Sequence, residues 1–133
     1  KIAPQDLRGV LLSPRDALDL LRDIEETSTT QRAQARGLLD LIKDYKDPTL
    51  LMGDFNAPPK AGAHSLLKMA WTDVWQQVGS TSGTTRYFGG VIPLRVDYIY
   101  ALSGTFRPLN SSVGELSHPD CSDHLPLSAE LKL

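Results

Sequence analysis

The sequence holds a single cysteine, Cys121, so no disulfide can close within the chain and the redox compartment stays open. No apolar run approaches the roughly 20 residues of a membrane-spanning helix. An excess of one charge is missing too: fourteen basic and sixteen acidic residues leave a formal net charge of -2. The basic residues are scattered, without the stripe that neutralises nucleic-acid phosphates in tight binders. That balance argues against a tight nucleic-acid complex, but does not exclude an enzyme that holds one phosphate through a metal. There is no G-x-S-x-G elbow, and Ser122 runs straight into Asp123 and His124 instead of facing them across a site. Both points argue against a serine-hydrolase triad. Internal repeats and low-complexity segments are absent. The chain opens on Lys1 and not on Met, which leads us to expect a processed protein or an excised piece.

What is present suits one domain or a large part of one: 133 residues, 41% of them hydrophobic. Residues 1–12 carry no clear pattern. Ser13-Pro14-Arg15-Asp16 reads as a helix start, with a capping hydroxyl, a first-turn proline and an early acid. Leu18, Leu21 and Ile24 follow at helical spacing. Ser28-Thr29-Thr30-Gln31 reads as a second start, followed by an apolar stripe of Ala35, Leu38, Ile42 and Tyr45. Gly37 interrupts that helix and Asp47-Pro48 is expected to end it. Thr49 to Met52 is a short buried-strand pattern. Helices are expected over 64–70 and 73–77, strands over 84–88 and 94–102, and a Gly89-Gly90 turn between them. Residues 103–122 read as loop with a short strand near Phe106. Leu127, Ala129, Leu131 and Leu133 alternate with polar residues as a final strand. Helices first, then mixed strands and helices, predict an α/β (α+β) arrangement.

Three segments carry candidate chemistry. Asp54 and Asn56 in Gly53-Asp54-Phe55-Asn56 would share one face just past a strand end, where such sheets place ligands. A carboxylate there can take a proton or align a water, and an amide can fix a phosphate oxygen. The same residues are also ordinary turn formers. In Arg95-Val96-Asp97-Tyr98-Ile99-Tyr100, Asp97 is costly in an apolar strand unless paired or wet, and an Arg95–Asp97 pair is the simplest relief. Ser122-Asp123-His124 places an imidazole and a carboxylate before the last strand; adjacent residues face opposite ways, so a bent loop is needed for joint action. His118, Cys121 and His124, with Asp120 and Asp123 between them, are zinc-ligand types. A closed zinc site usually draws on a second cluster, and none stands elsewhere; His64 is isolated.

The order of these segments resembles the endonuclease/exonuclease/phosphatase superfamily. Gly53-Asp54-Phe55-Asn56, Asp73-Val74-Trp75, Arg95-Val96-Asp97-Tyr98-Ile99 and Ser122-Asp123-His124-Leu125-Pro126-Leu127 carry the resemblance, with the Gln31, Arg32 and Gln34 helix ahead of them. It implies one half of a four-layer α-β-β-α sandwich, a mixed sheet covered by helices on one face, with residues 1–133 as the carboxyl-terminal half. It implies a metal-dependent phosphoester hydrolase using Mg²⁺, with Mn²⁺ as a substitute, acting on a nucleic acid, a phospholipid or an inositol phosphate. Asp54 would align or deprotonate the attacking water beside Asn56. Asp97 would orient His124, and His124 and Asn56 would hold the phosphate. Asp123, together with Asp54, would serve the metal. The resemblance also implies that the main metal-ligating glutamate belongs to the first half; Glu25 and Glu26 read as surface-helix residues. The alternative is a non-catalytic binding or assembly module that keeps the fold. Leu94, Val96, Leu127, Ala129 and Leu131 are expected on a face that packs on the first half, so the chain is expected to form a homodimer or to pair with that half.

Overall fold

The computed structural model describes residues 14–133. The Ser13 cap and residues 1–12 lie outside the described residues, as do the side chains of Leu18, Leu21 and Ile24.

A single helix, α1, runs from Pro14 to Ile42. The second start expected at Ser28 does not interrupt it. The Thr29 hydroxyl donates back to the Glu25 carbonyl at 3.0 Å, one turn earlier, so it serves the continuing helix and not a new end. The helix also stops short of Asp47-Pro48. Past Ile42, the Tyr45 N–H closes a turn onto the Ile42 carbonyl at 3.0 Å, and Tyr45 is exposed instead of completing the stripe.

The central sheet has the order β1-β5-β2, formed by β1 (Leu50–Asp54), β5 (Asp97–Leu102) and β2 (Trp71–Asp73). Helix α2 (Gly62–Leu67) follows β1, and α3 (Val74–Val78) follows β2. The hairpin of β3 (Arg86–Phe88) and β4 (Ile92–Leu94) turns at Gly89-Gly90. Strand β6 (Arg107–Val113) pairs with β7 (Leu127–Lys132). All these ladders are antiparallel, and among the described residues the parallel element is a bridge between Gly79 and Ser111. The expected strand over 94–102 is broken at Arg95 and Val96, which leave the ladder between β4 and β5.

Side chains alternate across β1 and β5, and each face finds its own core. Tyr98 and Tyr100, with Leu51, face α1 and α2 and pack with Ala35, Leu67 and Trp71. Full burial of apolar side chains of this size stabilises by about 1.5–3 kcal/mol each. Ile99 and Ala101 face the other way, against Val74, Phe106 and the β7 residues Leu127, Ala129 and Leu131. That second face is incompletely covered: Met52 keeps 62% of its exposure and Leu50 36%, so β1 is not the buried strand that the sequence suggested. Val96, expected on it, is buried.

Candidate active site

The register of β1 on β5 sets Asp54 directly opposite Asp97. Two carboxylates therefore meet where the apolar ladder ends. Facing like charges are unfavourable unless a donor or cation lies between them. The donor is His124, delivered by the segment before β7 and tied to the β3 hairpin by a bridge with Arg86. Its Nδ1 lies 2.7 Å from Asp97 Oδ2, and its Nε2 lies 3.8 Å from Asp54 Oδ2. A carboxylate only accepts, so the bond to Asp97 places a proton on Nδ1 and turns Nε2 toward Asp54. Asp97 thus pairs with His124, and not with Arg95 as the sequence suggested.

Asn56 is reached by a tight turn, not by extended backbone. Its φ is +50°, a left-handed conformation that asparagine tolerates better than most residues. Its N–H donates to Asp54 Oδ1 at 2.7 Å, and its carbonyl accepts from Gln31 Nε2 of α1 at 2.8 Å. The Phe55 N–H donates to the Val96 carbonyl at 2.9 Å. Asp54 and Asn56 still line one open groove, whose other wall is the polar face of α1 with Thr30, Gln31 and Gln34.

Asp123 is exposed and carries an ion pair to Arg86 at 3.0 Å; its other oxygen lies 3.9 Å from His124 Nε2. Asp54, Asp97 and His124 each offer a donor atom, all within 4.8 Å of one another. Two carboxylates and a nearby third suit a hard, hydrated cation, which takes one or two carboxylates and keeps several waters. His118 pairs loosely with Asp120 at 3.7 Å, and Cys121 is exposed and free; neither joins that group.

Sequence reasoning missed the support beneath the site. His64 is buried, not isolated. Its Nε2 lies 3.0 Å from the Ala57 carbonyl and its Nδ1 2.7 Å from the Tyr100 hydroxyl. The carbonyl can only accept, so Nε2 carries the proton and Nδ1 accepts from Tyr100. Burial pushes the imidazole pKa down, and burial likewise pushes the Tyr98 and Tyr100 phenols up. Tyr98 adds a second bond to the Ala57 carbonyl at 2.9 Å. The signal available was the three-residue spacing from His64 to Leu67, which puts the imidazole on the apolar face of α2.

Residues 10–124 match the Endonuclease/Exonuclease/phosphatase family, and the chain belongs to that family. Among solved structures, a functionally unknown conserved protein from Enterococcus faecalis V583 is 26% identical, with a TM-score of 0.67 over 79% of this chain and 45% of that one. An endonuclease/exonuclease/phosphatase from Bacteroides vulgatus is 21% identical, with a TM-score of 0.65 over 80% of this chain and 45% of that one. A mannosyl-6-phosphatase from Bacteroides thetaiotaomicron VPI-5482 is 20% identical, with a TM-score of 0.56 over 77% of this chain and 44% of that one. The chain spans less than half the length of these structures. No curated protein matches. The α+β fold expected from the sequence, as part of a larger family domain, stands.

Proposed function

We propose that this chain supplies the water-aligning and phosphate-holding side of the site of a metal-dependent phosphoester hydrolase. The observation that carries this reading is the 2.7 Å bond from His124 to Asp97, which aims Nε2 toward Asp54. Asp97 fixes the ring and the proton on Nδ1. Nε2 then donates, once protonated, to a nonbridging phosphate oxygen as negative charge builds there. Asp54 accepts a hydrogen bond from the attacking water and takes its proton. Asn56 fixes a phosphate oxygen or the water from the same groove. Asp54 and Asp123 would hold a hydrated Mg²⁺ or Mn²⁺, together with ligands from outside this chain; such an ion supplies charge neutralisation at the phosphoryl group and the leaving oxygen.

The half-covered face at Leu50 and Met52 supports a reading in which a further sheet of the longest natural form closes over it, as the greater length of the solved relatives suggests. The isolated chain is then expected to self-associate through this face, and a stable monomer in sedimentation that binds no apolar dye contradicts that.

The test is hydrolysis of bis-p-nitrophenyl phosphate, plasmid DNA and a sugar phosphate with Mg²⁺ or Mn²⁺. The sugar phosphate is included because one similar structure is a mannosyl-6-phosphatase. This chain is compared with the longest natural form of the protein. Metal-dependent turnover in the longer form supports the proposal. Absence of turnover in both, on phospholipid and inositol phosphate substrates as well, turns the reading to a binding or assembly module.

A further inference from the structure

We infer that Thr85 is a positioning residue for the Asp97–His124 pair, an inference that rests on the reading of that pair as the reacting one. Thr85 is fully buried. Its hydroxyl oxygen accepts from the N–H of Val96 and from the N–H of Asp97, each at 3.2 Å. Those two donors stand at the break between β4 and β5, where Arg95 and Val96 have left the ladder. A buried N–H without a partner is costly, so the hydroxyl replaces the strand that is missing there. Both of its lone pairs are used.

The backbone of Thr85 ties the same region from the other side. Its N–H donates to the Leu94 carbonyl at 2.9 Å, and its carbonyl accepts from the Leu125 N–H at 2.6 Å. Thr85 therefore bonds the residue that carries the carboxylate and the residue that follows the imidazole. Arg86, next in sequence, bridges to His124 itself. The two catalytic segments lie 27 residues apart in the chain, and this one buried residue sets their spacing. Serine would keep the hydroxyl. Valine keeps the shape and removes both bonds.

The test uses the longest natural form of the protein, with Thr85→Val and Thr85→Ser, and Thr85→Ala in place of valine should that variant not fold. Two readouts are taken: the Nδ1–H proton resonance of His124 by NMR, and kcat and KM on a phosphoester that the unaltered protein hydrolyses. Thr85→Val is expected to lose the Nδ1–H resonance to solvent exchange. Its kcat should fall at least about 10-fold, with KM within about 2-fold, since ground-state binding is untouched while alignment is lost. Thr85→Ser should keep the resonance and stay within about 3-fold in kcat. A Thr85→Val protein that retains the resonance overturns the inference. Equal losses in the serine and valine variants also overturn it, because keeping the hydroxyl would then rescue nothing. The resonance also separates this inference from the reading beneath it. If Thr85→Val removes the resonance in a protein that hydrolyses no phosphoester, the positioning role stands and the hydrolase reading falls.

Discussion

Arg95 and Asp73 form an ion pair from which water is almost wholly excluded, their side chains retaining 9% and 3% of their exposure. The guanidinium lies over the ring of Trp75 at 4.7 Å and over that of Tyr98 at 4.5 Å. Asp73 also caps α3 by accepting from the Gln76 N–H at 3.2 Å. Removing one partner leaves the other charge buried and alone, which costs about 3–5 kcal/mol. Arg95→Met and Asp73→Asn are each expected to lose that much in urea unfolding. The double variant Arg95→Met with Asp73→Asn is expected to lose less than the sum of the two, since neither charge is then stranded.

In the longest natural form, Asp54→Asn and His124→Ala should each lower kcat by about 2.7–4 kcal/mol of transition-state stabilisation, or roughly 10²–10³-fold. Both side chains are partly exposed; Asp54→Asn keeps the shape, so its unfolding midpoint should barely move, whereas His124→Ala leaves Asp54 and Asp97 facing without their donor and should lower the midpoint modestly. Steady-state kinetics beside a thermal melt measures both, and unchanged turnover in either variant removes the site assignment.

The neutral, buried His64 ties stability to pH. Its folded pKa lies below the ordinary value of 6.5, with burial the largest cause. Above pH 6.5 the imidazole is neutral in both states and its contribution is fully present. As pH falls below 6.5 the unfolded chain takes up a proton that the folded chain refuses, so stability declines until the folded pKa is passed. The slope from this group reaches at most about 1.4 kcal/mol per pH unit. Urea unfolding at pH 7 and pH 5 should show a smaller loss in His64→Gln than in the unaltered protein, and equal losses would place the proton elsewhere.

Two glycines predict opposite outcomes for one substitution. Gly37 lies within α1 with open space where a Cβ would stand, so Gly37→Ala should stabilise by about 0.4–1 kcal/mol. Gly83 has a φ of +74°, and a Cβ there would stand 2.7 Å from the Trp75 ring. Gly83→Ala should therefore destabilise by about 1–3 kcal/mol. Paired thermal melts of the two variants read both signs.

Local pattern carried much of the fold. The strand run into Gly53, the helix expected from Asp73 and the alternation of β7 are each written within a few neighbouring residues. What escaped depends on partners distant in sequence. The break before Asp97 needs the Thr85 hydroxyl, and the pairing of Arg95 needs Asp73, 22 residues away. Strand β6 escaped because Pro108 and a shift before Asn110 spoil its alternation. The helix over Ser28 escaped because a capping box and a continuing helix use the same residue types, and only the direction of the Thr29 bond separates them. At the candidate site, Asp54, Asp97 and His124 were legible as residues, and the geometry now brings them together. Asp123 was legible too, but its partnership with Arg86 was not.

The direct opposition of Asp54 and Asp97 across β1 and β5 has a consequence for how such a chain can diverge. A one-residue insertion or deletion inside either strand turns every following side chain to the other face, and separates the carboxylates while exposing tyrosines. Lengthening at Gly79–Gly83, at Gly89–Gly90 or between Val113 and Cys121 disturbs no rung of that ladder. Descendants of this chain can thus exchange loops, while the spacing of β1 and β5 stays closed to change in length.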